Sequence, residues 1–284
     1  MKKLRFVAAE AWQELRAGCR GPLIPVVFVG LIAYMLLMLA NAEIVRSFGA
    51  TGVPRNSPQL VYTVMAAQAF WVLFIWAWVF GQAVLRDRTA RLHELVLSAP
   101  VSLPLLLLGR YLGAAALGCV LASSTVLAFL LVPLVHALGL LPPDSAGPAP
   151  YLALGHSLLV LTVPSALGSG ALFLCAAIRA RSMTGPFVVA AGMLLFSMVS
   201  MVVLRGGDVN PAVATMLDPS AQAEVEEQTD RWTPLQKRTG VLAMTAPLAA
   251  NRVIWTLPPL LLLGVLLRRL DRERLVLERA PAVS

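Results

Sequence analysis

Apolar residues occur in six long runs along the chain, and short polar or charged segments separate them. A helix needs about 20 apolar residues to cross roughly 30 Å of hydrocarbon, and the runs reach or approach this length. None shows the alternation over about ten residues that is typical of membrane β-barrels. The pattern therefore predicts an all-α membrane protein with six transmembrane helices, at Leu23–Ala42, Leu60–Val84, Tyr111–Leu134, Tyr151–Ile178, Met183–Leu204 and Val253–Leu267.

The residues before the first run have the pattern of an amphipathic helix over positions 1–20. Apolar residues recur at helical spacing, and Gly21-Pro22 interrupts the pattern before the first span. We expect this helix to lie in the cytoplasmic interface with Trp12 at headgroup depth, and a frayed, charged flank is the alternative interpretation. A cleavable signal peptide is disfavoured, because the charged leader and the first apolar run are both unusually long. The two sides of the helix are Leu4, Ala8, Trp12, Leu15 and Cys19, against Lys3, Glu10, Gln13, Glu14 and Arg16.

The segment 86–102, between the second and third spans, reads RDRTARLHELVLSAPVS. Charged residues come first, Leu92, Leu95 and Val96 follow at helical spacing, and Pro100 ends the pattern. This predicts a short cytoplasmic helix with an apolar stripe, a surface that suits docking to a soluble partner. Packing of the same leucines against the ends of the protein's own spans is the alternative interpretation.

The segment 205–250 is too long for a simple turn. Asp218-Pro219 and Thr233-Pro234 each have the form of a helix start, a capping residue followed by proline. An acidic run between them fits a solvated helix face better than a cation site. The apolar run Gly240–Ala250 is too short to span and predicts a re-entrant or interfacial segment, which Arg252 should separate from the last span.

Composition supports one membrane domain over residues 1–284: 58% of the residues are hydrophobic and only 13% are charged. An average soluble domain has about 25% charged residues, so a soluble enzyme, a nucleic-acid-binding domain and a disordered regulator are all excluded. With both termini on the cytoplasmic side, most of the 23 Lys and Arg residues lie in inner segments. The outer loop Ala137–Pro150 has none, so the positive-inside rule favours this orientation.

The sequence lacks the motifs of several kinds of catalytic chemistry. No phosphate-binding Gly-x-x-x-x-Gly-Lys sequence and no His-Glu-x-x-His sequence occurs, so we expect no ATP hydrolysis by this chain and no metal site. The spans contain almost no ionisable residue; only His156 falls within one. Gly168-Ser169-Gly170 has the wrong glycine spacing for a hydrolase nucleophile, and close helix packing explains it better, although an intramembrane hydrolase remains a third hypothesis.

The segment Arg91–Ser102, followed by Gly109-Arg110-Tyr111-Leu112-Gly113, resembles a cytoplasmic pattern of type-2 ABC exporters. The membrane subunits of these exporters are six-span permeases that pair with a separate ATP-binding-cassette ATPase. Arg91 stands where the family usually has Gly, and His93 stands where it has Leu. The residues that match directly are Glu94, Leu95, Leu97, Ser98, Pro100, Val101 and Ser102.

Further landmarks extend the resemblance over nearly the whole chain. The helix over 1–20 looks like the elbow helix of such permeases, and the segment 86–102 looks like their coupling helix. Landmarks similar to those of one branch follow in the outer part: Leu217-Asp218-Pro219, Trp232-Thr233 and Asn251-Arg252-Val253-Ile254-Trp255.

The resemblance implies specific roles for three sets of residues. The first set would contact a groove of the ATPase: Arg91, Leu92, Glu94, Leu95, Leu97, Ser98 and Pro100. The second would line a translocation path between two subunits, along the second and fifth spans, although ordinary packing explains it equally well: Phe70, Phe74, Trp78, Met193 and Met198. The third, at the end of the outer segment, we interpret as an outer-interface anchor: Asn251, Arg252 and Trp255.

The sequence therefore favours the permease subunit of an ABC exporter, in a bacterial-type inner membrane with both termini cytoplasmic. The expected partners are ABC ATPase subunits, a second permease copy or a paralogue, and membrane lipid, but no nucleic acid. ATP and Mg²⁺ would bind in the partner ATPase, and this chain would hold no cofactor. The alternative is a membrane scaffold that recruits another soluble protein through the segment 86–102.

Overall fold

A computed structural model of the chain describes residues 2–50, 52–89, 102–142, 145–205 and 211–279. Its secondary structure over these ranges is helical, and no strand occurs in them. The helices are α1 (Lys2–Arg20), α2 (Leu23–Ala40), α3 (Ala42–Ser47), α4 (Pro58–Thr89), α5 (Leu103–Ala137), α6 (Tyr151–Ala180, with a π-helical turn at Leu158–Thr162), α7 (Thr184–Arg205), α8 (Pro211–Leu217), α9 (Gln222–Asp230), α10 (Pro234–Thr239) and α11 (Ala246–Arg279).

Five of these helices are long and apolar enough to cross a membrane: α2, α4, α5, α6 and α11. They correspond to five of the six predicted spans, and they indicate a multi-pass membrane protein. The predicted span Met183–Leu204 lies on α7. Its apolar part is described over Thr184–Ser200, which is shorter than the five others.

Helix α4 lies at the centre of the bundle. Of the residues in its apolar window 72% are buried, compared with 17% in α2 and in α11. Trp76 is fully buried on α4, and its indole N–H donates to the carbonyl oxygen of Gly118 on α5 at 3.1 Å. A second contact of the same kind lies in the first half of α4, where the Gln68 amide donates to the Ala122 carbonyl at 2.7 Å. A movement of α4 would therefore also affect α5, to which these two side chains are hydrogen-bonded.

Small residues on α6 allow two other helices to approach it closely. A Cβ atom at Gly170 would overlap the ring of Phe80 on α4, and one at Gly168 would overlap the backbone carbonyl of Trp255 on α11. Lipid tails are as apolar as the side chains, so helices in a bilayer associate largely through such close packing. The interpretation of Gly168-Ser169-Gly170 as a packing surface is confirmed.

The segment 205–250 contains three short helices, α8, α9 and α10. Of the two helix starts predicted in it, only one is correct. Thr233 and Gln236 form a capping box, and α10 begins at Pro234. The predicted start at Pro219 is wrong, because Ala221 adopts a left-handed conformation (φ 60°) and α9 begins only at Gln222. Asp218 still contributes to this start, since its carboxylate accepts from the backbone N–H of Ala223 at 2.9 Å.

The acidic run does not form a uniformly solvated face. Glu224 is buried, and its carboxylate accepts from Gln228 at 2.8 Å and from the hydroxyl of Thr245 at 2.6 Å. A third donor, the hydroxyl of Thr215, lies 3.3 Å away. The prediction of a solvated face is therefore wrong for Glu224, because protein donors replace water around it.

We expect Gly168→Ala to destabilise the protein by about 1–3 kcal/mol, because backbone atoms of α11 cannot move aside as a side chain can. Gly155→Ala is the matched control on the same helix, since a Cβ atom there meets nothing within 4 Å. Thermal unfolding of both variants in the same detergent measures the difference. Equal melting temperatures would contradict close packing of α6 against α11.

Candidate functional site

Helix α1 packs on the first part of α5 through Gly109 and Gly113. A Cβ atom at Gly113 would lie 2.5 Å from the carbonyl oxygen of Ala11, and one at Gly109 would lie 3.0 Å from that of Val7. The two glycines are four residues apart and face the same side of α5, which is the Gly-x-x-x-Gly arrangement of closely packed membrane helices. Because glycine has no side chain, the two backbones approach closely. The acidic residues of α1 then come within reach of charged residues on α4 and α5.

Five charged side chains meet at this contact, and we name them the ionic cluster: Glu10, Glu14, Arg86, Asp87 and Arg110. Arg86 Nη2 lies 2.9 Å from Glu14 Oε2. Arg110 joins two helices, with Nε 3.2 Å from Glu10 Oε1 on α1 and Nη1 2.7 Å from Asp87 Oδ2 on α4. The ionic cluster therefore connects α1, the end of α4 and the start of α5.

Burial makes these ion pairs different from surface pairs. The side chain of Arg110 is 8% exposed and that of Glu14 is 9% exposed. Burial raises the pKa of the Glu14 carboxyl, and the Arg86 and Arg110 guanidinium groups offset this only in part. Removing one partner of a buried pair leaves an uncompensated charge, which is strongly destabilising. The cluster is consequently a position where substitutions should loosen α1.

The amphipathic pattern of residues 1–20 correctly predicts the helix α1, but not what each side contacts. Glu10 and Glu14, on the predicted polar side, face α4 and α5, whereas Leu4 and Trp12 are 80% and 61% exposed. The sequence contained two signals for this orientation: glutamates four residues apart on α1, and glycines four residues apart on α5. The exposed apolar side suits contact with lipid.

The predicted ATPase-contacting residues lie outside the described part of the chain, which omits residues 90–101. The residues on either side of this gap are described. The predicted segment 86–102 does not start as a separate helix, because α4 continues through Arg86 and Asp87 to Thr89. Ser102 precedes α5, which begins at Leu103 with proline in its first turn. The residues concerned are Arg91, Leu92, Glu94, Leu95, Leu97, Ser98 and Pro100.

A second polar centre surrounds Asn251 and Arg252 near the start of α11. The Asn251 side chain is fully buried and donates to the backbone carbonyls of Thr215 and, at 2.7 Å, of Asp218. Trp255 donates from its indole N–H to the carbonyl of Met216 at 3.0 Å. Two of the predicted anchor residues thus hold the end of α8 and the following turn against α11.

Arg252 is buried as well, with only 8% of its surface exposed. Its Nη1 lies 3.1 Å from Ser165 Oγ, its Nη2 lies 3.0 Å from the Pro219 carbonyl, and its Nε lies 2.9 Å from Asn251 Oδ1. Helix α11 runs unbroken from Ala246 through Arg252. The predicted separation from the last span is therefore wrong for Ala246–Ala250, because protein partners satisfy this guanidinium group in place of water. Residues 240–245 precede the helix.

The expectation that only His156 places an ionisable group within a span is wrong as well. Arg110 and Arg252 both lie on helices of spanning length and are both buried. The helices extend beyond the predicted spans, and each arginine has internal hydrogen-bond partners. His156 itself is close to the hydroxyl of Tyr62, at 3.1 Å from Nδ1.

The predicted path residues do not form one surface. Phe70 on α4 and Met193 on α7 line a common cleft, which we name the polar cleft, together with Ser165, Ser169, Ser197 and Trp255. Phe74 is partly exposed and stacks on Phe187 of α7, with ring centroids 6.4 Å apart. Met198 is 53% exposed, and Trp78 is half-buried against the core.

Ser169 has the environment of an ordinary helix serine. Its hydroxyl donates to the carbonyl oxygen of Ser165, one turn earlier, at 2.6 Å. Among the described residues, no group of three or more His, Cys, Asp or Glu side chains could hold a metal ion.

Comparison with protein-family models gave no match, and comparison with curated proteins gave no significant match.

The raised pKa of Glu14 predicts a pH-dependent stability. Folding favours its protonated form, so its contribution is complete below the unfolded pKa and is lost as the pH rises through the folded pKa. We expect Glu14→Gln to reduce the fall in melting temperature between about pH 5 and about pH 8. Glu43→Gln, at an exposed position on α3, is the control and should leave the wild-type profile unchanged. An unchanged profile for Glu14→Gln would contradict the assignment.

Proposed function

We propose that this protein is the membrane subunit of an ABC exporter, driven by ATP hydrolysis in a separate ATPase subunit. The observation that supports this most strongly is the position of the ionic cluster. It ties α1 to the last turns of α4 and to the second turn of α5. These are the two helices that residues 90–101 connect, and that segment carries the sequence pattern of the family's coupling helix.

In this proposal the ATPase binds residues 91–100, and its closure displaces them. Because α4 and α5 are linked to α1 by ion pairs whose carboxylates are largely buried, the displacement moves the three helices as one unit rather than bending the segment alone. The exposed Leu4 and Trp12 would keep α1 in the cytoplasmic interface during this movement. The ends of the chain would then lie in the cytoplasm of a bacterial-type cell.

The central position of α4 gives the displacement a route to the translocation path. Helix α4 packs against α5, α6 and α7, so a tilt of α4 changes its contact with α7. In the proposal the path lies between α4 and α7 of this subunit and the same helices of a second copy or a paralogue. The exposed apolar face of α7, which includes Leu195, Met198 and Val199, is available for such a contact.

The alternative function is a membrane scaffold that recruits a soluble protein through residues 86–102 without transport. The ionic cluster would then only brace the docking segment. ATPase recruitment distinguishes the two functions, since a scaffold has no requirement for ATP hydrolysis.

We expect an ATP-binding-cassette subunit to copurify with the wild-type protein from native-like membranes, with vanadate-sensitive ATPase activity. Glu94→Arg/Leu95→Asp should remove most of this activity, because it reverses a charge and places a carboxylate on the apolar docking stripe. Recovered ATPase activity per mole of folded permease is the measurement.

Glu43→Arg/Leu235→Asp is the matched control, since it makes the same two changes at exposed positions at the other end of the bundle. It should retain the ATPase. If folded wild-type protein brings down no ATPase, the exporter proposal is wrong and the scaffold becomes the better interpretation.

A further inference from the structure

The polar cleft lies between α4, α6, α7 and α11, and its lining is partly apolar and partly polar. Phe70 and Met193 contribute apolar surface, whereas Ser165 and Ser197 contribute hydroxyl groups. The whole cleft, with its open mouth, has about 450 Å³ of unfilled space, and its interior has about 30 Å³. The interior thus has room for about two water molecules or a small polar group, but not for a large ligand.

The Arg252 guanidinium group lies directly behind the hydroxyl-bearing part of the cleft. Arg252 donates to Ser165 and to the Pro219 carbonyl, and both of these residues line the cleft. Within the part of the chain that the structure describes, no carboxylate forms an ion pair with Arg252. Asp218 is near enough to interact electrostatically, but its carboxylate accepts from Ser220 and Ala223 of its own turn. Because no described carboxylate is bonded directly to the Arg252 guanidinium group, an anion in the cleft can still gain from its charge.

Two hydroxyl groups in the lining of the cleft retain the capacity to donate. Ser165 Oγ accepts from Arg252, and no acceptor for its own proton occurs among the described residues. Ser197 is 8% exposed and has no hydrogen-bond partner in the same part of the chain. By contrast, the Ser169 hydroxyl already donates, to the Ser165 carbonyl. The unused donors select an oxygen acceptor, and the arginine behind them favours a charged one.

We infer that the polar cleft binds an amphipathic molecule with a single oxyanion head group. The oxyanion accepts from Ser165 and Ser197 with Arg252 behind it, and the alkyl part leaves through the mouth along Phe70 and Met193. A phosphate or sulfate monoester of a long-chain alcohol has this chemistry, and so does the headgroup of an anionic lipid. The inference goes beyond the proposed function, because binding of this kind requires no ATPase.

Dodecyl phosphate is a suitable probe, titrated calorimetrically into the full-length protein in a non-ionic detergent. We expect saturable binding that Ser197→Ala weakens about tenfold, since a hydrogen bond to a charged group is lost. Ser165→Ala should weaken binding to a similar extent. Ser197 has no partner in the described structure, so its replacement should not impair folding, whereas an Arg252 variant would lose three internal contacts.

Ser200→Ala is the matched control, because Ser200 is a buried serine on the same helix that does not line the cleft. It should bind like the wild type. Equal affinity of the wild type and Ser197→Ala would overturn the inference. Equal binding of dodecyltrimethylammonium would also overturn it, and so would inorganic phosphate binding as tightly as dodecyl phosphate.

The source of the head group is tested by competition in nanodiscs. Displacement of dodecyl phosphate by phosphatidylglycerol, but not by phosphatidylcholine, supports the site with a lipid as its occupant. Retention of the probe in both lipids supports the site with a smaller amphiphile as its occupant. The measurement uses purified protein without an ATPase, so failure of ATPase copurification and failure of binding are separate results.

Discussion

The structure depends on close contact between helix backbones at positions where a side chain would not fit. In a bilayer no hydrophobic force drives helices together, so packing and hydrogen bonds must do it. Gly109 and Gly113 allow α1 to approach α5 closely, and Gly168 allows α11 to approach α6. The polar contacts follow from this proximity, because Glu10 reaches Arg110 only when the two backbones nearly touch.

Two buried polar centres occupy opposite ends of the bundle and solve the same physical problem differently. In the ionic cluster, arginines are paired with carboxylates from other helices. Around Arg252 the partners are neutral: a hydroxyl, a carbonyl and an amide oxygen. The first arrangement pairs opposite charges and links helices together, whereas the second leaves a guanidinium group without a bonded carboxylate, among the described residues, beside an open cleft. This difference is why we propose force transmission for one and ligand binding for the other.

The apolar pattern predicted the positions of the helices well, but it did not predict which polar residues are buried. The start of α10 at Pro234 followed from a local capping motif, and it is correct. The start of α9 was misplaced because a left-handed residue, Ala221, delays the helix. The buried state of Glu224 was missed since its partners Thr215 and Thr245 are distant in sequence. Local motifs determine local geometry, and burial depends on the whole fold.

The sequence by itself determined that the chain is helical and membrane-embedded, because the length and hydrophobicity of a run are properties of neighbouring residues. Only the tertiary structure decided which charges meet. Glu10 and Arg110 are 100 positions apart, and Glu14 and Arg86 are 72 apart. Likewise, Arg252 was expected at a boundary, and its place inside the protein is set by Ser165 on another helix. A charge can be accommodated within a span only where separate helices together supply its partners.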